Sequence, residues 1–204
     1  MESQRGAAAG AALPSSRAQG STSGDGGGGG GGGGGRAEVP RPATAKSMTP
    51  VALRRLQKEF SEWHMSSRTS DTQPLPPIYL ETPVQRLDEW YIGLRGADST
   101  LYAGEAFRLR FRFPTDYPIE SPEVVFVGTT PLHEHVYSNG HLCLSILYDS
   151  WSPALTVNSV ALSIQSMLSS ATEKRRPPDN DAYVRNCRGR SPKQTRWLFH
   201  DDGV

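Results

Sequence analysis

The chain has 204 residues, 22 Lys and Arg against 21 Asp and Glu, 36% hydrophobic residues and only two cysteines. That is enough for one ordinary domain, and the near-zero charge gives no general attraction for nucleic acid. No apolar run approaches the roughly 20 residues that cross a bilayer, and two cysteines 44 positions apart make no disulfide framework, which implies a reducing, intracellular setting in cytoplasm or nucleus.

The composition is uneven along the chain. Of 21 glycines, 14 precede residue 36, Gly26 to Gly35 run without a break, and nothing up to Lys46 is Phe, Tyr or Trp. Such a segment cannot bury enough apolar surface to offset the entropy of ordering it, so 1–47 is expected to be a disordered leader. Its Ala, Ser and Arg content also allows an organelle transit peptide, and Met48 is a second candidate translation start. The expected organisation is a folded domain over 48–190 and a tail over 191–204, partly packed or flexible. The body from Met48 onward carries 17 Lys and Arg against 18 Asp and Glu.

Thr49 as a cap, Pro50 in the first turn, and Leu53, Leu56, Phe60 and Trp63 at three- and four-residue steps predict a first helix. Arg54, Arg55 and Lys58 lie off that stripe and read as a solvated basic face. After the Pro-rich QPLPP, the segment LDEWYIGLRG alternates Leu87, Trp90, Ile92 and Leu94 with one slip. AFRLRFRF alternates without a slip, Phe107, Leu109, Phe111 and Phe113 on one face and Arg108, Arg110 and Arg112 on the other. With PEVVFVG these strands make an antiparallel meander. From Thr130 to Pro153 no period is visible, and a loop of that length inside a domain is usually functional. TVNSVALSIQSMLSS then reads as a helix capped by Thr156 and burying Val157, Val160, Ile164 and Leu168. NDAYVRNCRGR reads as a short third helix ended by Gly189, and Trp197, Leu198 and Phe199 are expected either to fold back onto the domain or to await a partner. The class is α+β.

The aperiodic loop contains HEHVYSNGHLCLSIL, with His133, His135 and His141 close to Cys143. Three chemistries use such residues. Zinc would need ligand pairs two to four residues apart, whereas HxH followed by HxC offers neither that spacing nor a second nearby cysteine. A Cys-His hydrolase needs a base within hydrogen-bond reach of sulfur and a group to orient it, and no local cysteine-protease signature is present. A carrier thiol needs only a modestly activated nucleophile and benefits from having no strong base beside it.

Four motifs in order resemble the catalytic core of ubiquitin-conjugating enzymes over about Val51 to Thr172: LRRLQKE, LYAGEAFRLRFRFPTDYPIESPEVVF, HEHVYSNGHLCLSIL and WSPALTVNSVALSIQSML. The resemblance implies that family's fold, an N-terminal helix, a four-stranded antiparallel meander, a long active-site loop, a central helix and a C-terminal helical segment. It implies that Cys143 accepts ubiquitin from the activating enzyme as a thioester and passes it to a substrate amine. Arg54, Arg55, Ile119, Ser152, Pro153 and Ala154 would face ligases of the RING or U-box type, and Arg54, Arg55 and Lys58 the activating enzyme. No metal and no directly bound cofactor are implied, ATP being consumed by the activating enzyme.

The sequence departs from the family pattern near the thiol. His133 takes the loop-bracing position, His135 stands where most members have the Asn that stabilises the oxyanion, and Ser145 stands where many have an acid. A second acid of the family, near the end of the second helix, is also displaced, with Asp179 in RRPPDN as its candidate, and His141 is expected to point off the strand. His135, VYSNGH, RRPPDN and SPKQTRWLFHDD resemble the W-type subgroup, associated with the α-amino group of substrates with flexible N-termini. An α-amine, with a pKa near 7.7–8.0 against about 10.4 for lysine, needs less help losing its proton. Glu134, where that subgroup has Pro, is expected either to loosen the loop or to change its charge. The alternatives are lysine-directed conjugation, a catalytically weak binding module, and nucleic-acid binding by the eight Lys and Arg between Lys174 and Arg196. That basic stretch has a single interleaved aromatic, Tyr183, before Trp197 and makes a poor platform.

Overall fold

The structure is a computed structural model and describes residues 47–67 and 76–197. The chain divides into two units, Met1–Pro40 and Arg41–Val204; the expectations for the leader, Leu198 and Phe199 lie outside the described residues.

The second unit runs α1 (Pro50–Ser67), β1 (Ile78–Leu80), β2 (Glu89–Arg95), β3 (Ala106–Arg112), β4 (Glu123–Phe126), α2 (Val157–Ser169) and α3 (Asn180–Cys187), with 3-10 turns at Ser145–Leu147 and Pro192–Gln194. The four strands pair in sequence order and antiparallel throughout, as a meander. One face carries Leu80, Ile92 and Leu109 across neighbouring strands, and Trp90 beside Phe111 and Val124, all buried. That alternation follows the two-residue period of a strand with one dry face. The opposite face is latticed with ion pairs, Arg108 to Glu81 at 2.7 Å, Arg112 to Glu89 at 2.7 Å and Arg110 to Glu123 at 3.3 Å.

β1 is the strand the residue pattern misses. Three residues, Ile-Tyr-Leu, directly after a proline cluster are too short to show a period, and only pairing with β2 makes them a strand. The slip in the second strand also has a cause: β2 begins at Glu89, so Leu87 belongs to the preceding turn, half-buried against the core.

α2 has the expected capping, with Thr156 Oγ1 accepting from Ser159 N at 3.1 Å and Ser159 Oγ accepting from Thr156 N at 2.7 Å. This reciprocal arrangement satisfies two donors that a helix start leaves open. Val157, Val160, Ala161, Ile164 and Leu168 are buried, and the helix packs on β2. Each large apolar side chain contributes about 1.5–3 kcal/mol by leaving water.

α1 differs from its expected stripe. Leu53 is 37% exposed, whereas Ala52, Leu56 and Glu59 are buried. The stripe is rotated toward an acid, a residue whose desolvation ordinarily keeps it at the surface unless it is paired. The partners are supplied by distant segments. Glu59 accepts from Arg55 Nε at 2.5 Å, from Tyr117 Oη at 2.7 Å and from Val157 N, the first residue of α2, at 2.8 Å. α3 ends at Cys187, and Arg188, at φ 48°, takes the left-handed position ahead of Gly189.

Candidate active site

The Cys143 segment is placed by three local devices. Gly140 turns the chain at φ 87°, where a side chain would run into the carbonyl of Phe126. Its own carbonyl accepts from Phe126 N at 2.8 Å, seating the loop against the end of β4. Buried His133 accepts at Nδ1 from His135 N at 3.0 Å, which leaves the proton on Nε2 to be donated to the Met167 carbonyl of α2 at 3.2 Å. Burial, reinforced by neighbouring His135, pushes the His133 pKa down and keeps the ring neutral for this role. Cys143 N donates to the His135 carbonyl at 2.9 Å and Tyr148 Oη to the Leu142 carbonyl at 3.0 Å, so the backbone on both sides of the thiol is held.

RRPPDN is brought to the same place by Arg176. Its guanidinium donates to the carbonyls of Pro131 at 2.6 Å, Val136 at 3.1 Å and Thr130 at 3.2 Å, and to Thr130 Oγ1 at 2.6 Å. Asp179, two prolines further on, then accepts from Tyr137 Oη at 3.0 Å, and Asn180 Oδ1 accepts from Ser138 N at 2.8 Å.

The result is a groove of about 580 Å³ containing Cys143, His135, Ser145 and Asp179, with Glu134 at its edge and an aromatic wall of Tyr137, Tyr183 and Trp197. The Tyr137 and Tyr183 rings lie 4.1 Å apart, and Trp197 is within 5.7 Å of Tyr137 and 5.3 Å of both Tyr183 and Tyr148. Trp197 is thus packed on the domain, donating from Nε1 to the Pro192 carbonyl at 3.2 Å.

The thiol differs from the expected modest activation. Burial, and then the Asp179 carboxylate, push the half-buried Cys143 up to about 11. Both effects disfavour a thiolate, and the three cations of the segment just after α2 are committed elsewhere. Arg175 donates to Glu134 at 2.6 Å and pairs with Glu173 at 3.0 Å. Arg176 holds carbonyls, and Lys174 pairs with Glu105. Arg175 holds the Glu134 carboxyl below its usual range; Glu134 therefore adds a paired charge that links the loop to the segment after α2.

The three histidines do not converge. His133 is turned into the protein, His135 is exposed in the groove, and His141 is buried with Nδ1 2.8 Å from Tyr183 Oη. The expectation that His141 is a neighbour pointing off the strand is corrected, since its ring is buried 5.8 Å from that of Tyr183 in α3. Among the described residues no group of three or more His, Cys, Asp and Glu is arranged to hold a metal ion. Also among the described residues, no helix is long and apolar enough to cross a membrane.

Away from the groove, the other expected surface residues gather at one end of the molecule. Ile119 is 72% exposed, and Ser152, Pro153 and Ala154 are exposed beside it. Trp151 Nε1 donates to the Pro118 carbonyl at 2.8 Å, joining the two loops. Arg54 and Lys58 are exposed on α1. Arg55 is only 23% exposed, because its two terminal nitrogens donate to the carbonyls of Pro153 at 2.9 Å and Leu155 at 2.8 Å. It braces the surface rather than standing free on it, a role that a basic residue on a helix face does not disclose.

Tyr137, Tyr183, Arg176 and Lys193 were not picked out by residue type. The available signal was the aromatic content of VYSNGH and NDAYV, two segments whose proximity only folding creates.

Comparison with known proteins is consistent with this construction. The sequence pattern of the family described as "Ubiquitin-conjugating enzyme" matches residues 55–200. "Ubiquitin-conjugating enzyme 15" of Arabidopsis thaliana is 54% identical over 160 residues, covering 78% of this chain and 94% of its own. "Probable ubiquitin-conjugating enzyme E2 W" of Dictyostelium discoideum is 52% identical over 157 residues, covering 77% of this chain and all of its own. The crystal structure of the ubiquitin-conjugating enzyme E2 UbcA1 from Agrocybe aegerita superposes with a TM-score of 0.58 at 43% identity, over 67% of this chain and 95% of that one. The α+β fold read from the sequence is the fold of these relatives, and the chain belongs to the ubiquitin-conjugating enzyme family.

Proposed function

We propose that Cys143 carries ubiquitin as a thioester and delivers it preferentially to the α-amino group of substrates with flexible N-termini. The observation that carries this reading is the make-up of the groove at the thiol. The exposed His135 imidazole and the Ser145 hydroxyl flank it, and its carboxylate, Asp179, already accepts from Tyr137. That carboxylate is already committed to a hydrogen bond, and an α-amine, a useful fraction of which is unprotonated near neutrality, has less need of one than lysine.

In loading, the Cys143 sulfur attacks the thioester carbonyl presented by the activating enzyme. A new C–S bond forms, the old one breaks, and the activating enzyme's sulfur leaves as thiolate and takes up, directly or through water, the proton that Cys143 loses. In discharge, the substrate nitrogen attacks the same carbon, the C–N bond forms as the bond between that carbon and the Cys143 sulfur breaks, the sulfur leaves as thiolate and regains a proton, and the amine proton passes to solvent or Asp179. The His135 ring N–H faces the groove as a donor to the transient oxyanion. A thiol with a raised pKa is a reluctant leaving group, which slows loss of the acyl group to water. The end formed by Arg54, Ile119, Pro153 and Ala154 supplies an exposed apolar pair on a braced frame, suited to a RING or U-box ligase.

The deciding measurement compares single-turnover discharge onto two peptides at neutral pH, one with a free N-terminus and acetylated lysines, the other N-acetylated with a free lysine. The first should react about a hundredfold or more faster, since at pH 7 it holds about 200–400 times as much unprotonated amine. Discharge confined to the lysine peptide would overturn the α-amine reading.

Asp179→Asn should move two rates in opposite directions. Removing the charge favours the thiolate, so alkylation of free Cys143 should become a few-fold faster, while discharge to the α-amine peptide should slow about tenfold for want of a proton acceptor. Parallel changes in both rates, followed by iodoacetamide labelling and gel-based discharge, would remove Asp179 from this role.

A further inference from the structure

The C-terminal segment after α3 makes one contact that the reaction described above does not use. Lys193, in the 3-10 turn Pro192–Gln194, is half-buried. Its ammonium donates to Ser121 Oγ and to the Leu147 carbonyl at 3.0 Å, and it lies 5.5 Å from the centre of the Tyr148 ring. Ser121 Oγ in turn donates to the same Leu147 carbonyl at 2.6 Å. Leu147 closes the turn that starts at Ser145, two residues past the thiol. Tyr148, under the ammonium, holds the carbonyl of Leu142, one residue before the thiol. One cation therefore supports the Cys143 peptide from both sides. The segment that delivers it is tied down independently, by Ser191 Oγ on Glu123 and by Thr195 Oγ1 3.1 Å from Tyr183 Oη.

Burying an ammonium is costly unless its donors are met, and a surface lysine would serve equally well merely to keep the tail soluble. We propose that Lys193 is a positioning residue for amine attack, holding the Cys143 turn in register with the groove that receives the substrate nitrogen. The inference rests on the thioester reading of Cys143. Small misplacements of a reacting centre are expensive, an ångström costing up to about a hundredfold in rate. The Lys193 contacts act on the backbone that carries the sulfur.

The test uses the full chain loaded with ubiquitin by activating enzyme and ATP, and compares the parent with Lys193→Met, which keeps an unbranched side chain one atom shorter and removes the charge. Discharge is followed onto the free α-amine peptide over a range of concentrations and, separately, onto hydroxylamine, which is small enough to reach the thioester from bulk solvent. The expected result is complete loading and a maximal peptide rate about tenfold lower. The half-saturating peptide concentration and the hydroxylamine rate should not change.

Peptide discharge within twofold of the parent, or an equal fall with hydroxylamine, overturns the proposal. Should Lys193→Met fail to fold by near-ultraviolet circular dichroism, Ser121→Ala removes the hydroxyl between the ammonium and Leu147 and decides by the same two readouts, with about a threefold fall expected. A parent chain that forms no thiol-sensitive adduct overturns the function proposed for Cys143 itself. A loaded parent with an unaffected variant overturns only the role of Lys193.

Discussion

The Cys143→Ser variant should take up ubiquitin at least about a thousandfold more slowly than the parent, and whatever adduct forms should survive reducing thiols, as an oxygen ester does. In the parent the adduct should vanish on reduction. The free thiol should also betray its surroundings. With its pKa pushed up to about 11, only about one Cys143 in ten thousand is thiolate at pH 7, against a few per cent for an ordinary thiol. The sign follows directly: thiolate is the reacting form, so alkylation should accelerate about tenfold per pH unit from 7 to 10 without levelling. A levelling rate with its midpoint near pH 8.5 in stopped iodoacetamide labelling would show an ordinary thiol and contradict the effect of burial and of the Asp179 charge. Free Cys143 therefore enters loading as the thiol, its proton being lost during the exchange. The same property, once the thioester has formed, favours its survival until an amine arrives.

The Glu59→Ala variant should lose about 3–5 kcal/mol of stability, the scale for removing one partner of a buried, hydrogen-bonded ion pair. Glu59 serves three donors from separate parts of the chain, Arg55 within α1, Tyr117 ahead of β4 and the first N–H of α2. Truncation strands all three, and it also removes a carboxylate from the positive end of α2. Glu59→Gln, which keeps the shape and one acceptor oxygen, should cost about half as much. Urea unfolding followed by tryptophan fluorescence reads both, and a loss below about 1 kcal/mol for alanine would show that the network is dispensable. Destabilisation should extend to the exposed end of the molecule, because Arg55 carries the Pro153 and Leu155 carbonyls on the same guanidinium. Ligase binding is therefore a second readout in which an α1 variant alters a surface it does not itself form.

These two expectations differ in how far they were legible from residues alone. Cys143 stands out as one of two cysteines in a long aperiodic loop, and the motifs around it point to a thioester carrier. Glu59 sits in a helix whose apolar spacing suggests a different buried stripe, and a charged residue is by default assigned to water. Its burial depends on donors 58 and 98 positions away, beyond the reach of any local pattern.

Local period and composition determined the meander through the alternation of Phe107, Leu109 and Phe111. They determined α2 through Thr156 and the four-residue steps that follow it, while chain adjacency puts His135 and Ser145 beside the thiol and only the family resemblance marks them as departures. Those features depend on interactions within one turn or one strand, where a residue and its neighbours suffice. Tertiary structure decided the rest. It made a strand of Ile78–Leu80 by pairing it, drew Asp179 to the thiol through Arg176, committed Arg55 and Lys193 to distant carbonyls, and changed Cys143 from an ordinary thiol into one held protonated by burial and a carboxylate. Desolvation and long-range hydrogen bonds belong to the folded arrangement, and a sequence contains the groups involved without the distances that set their strength.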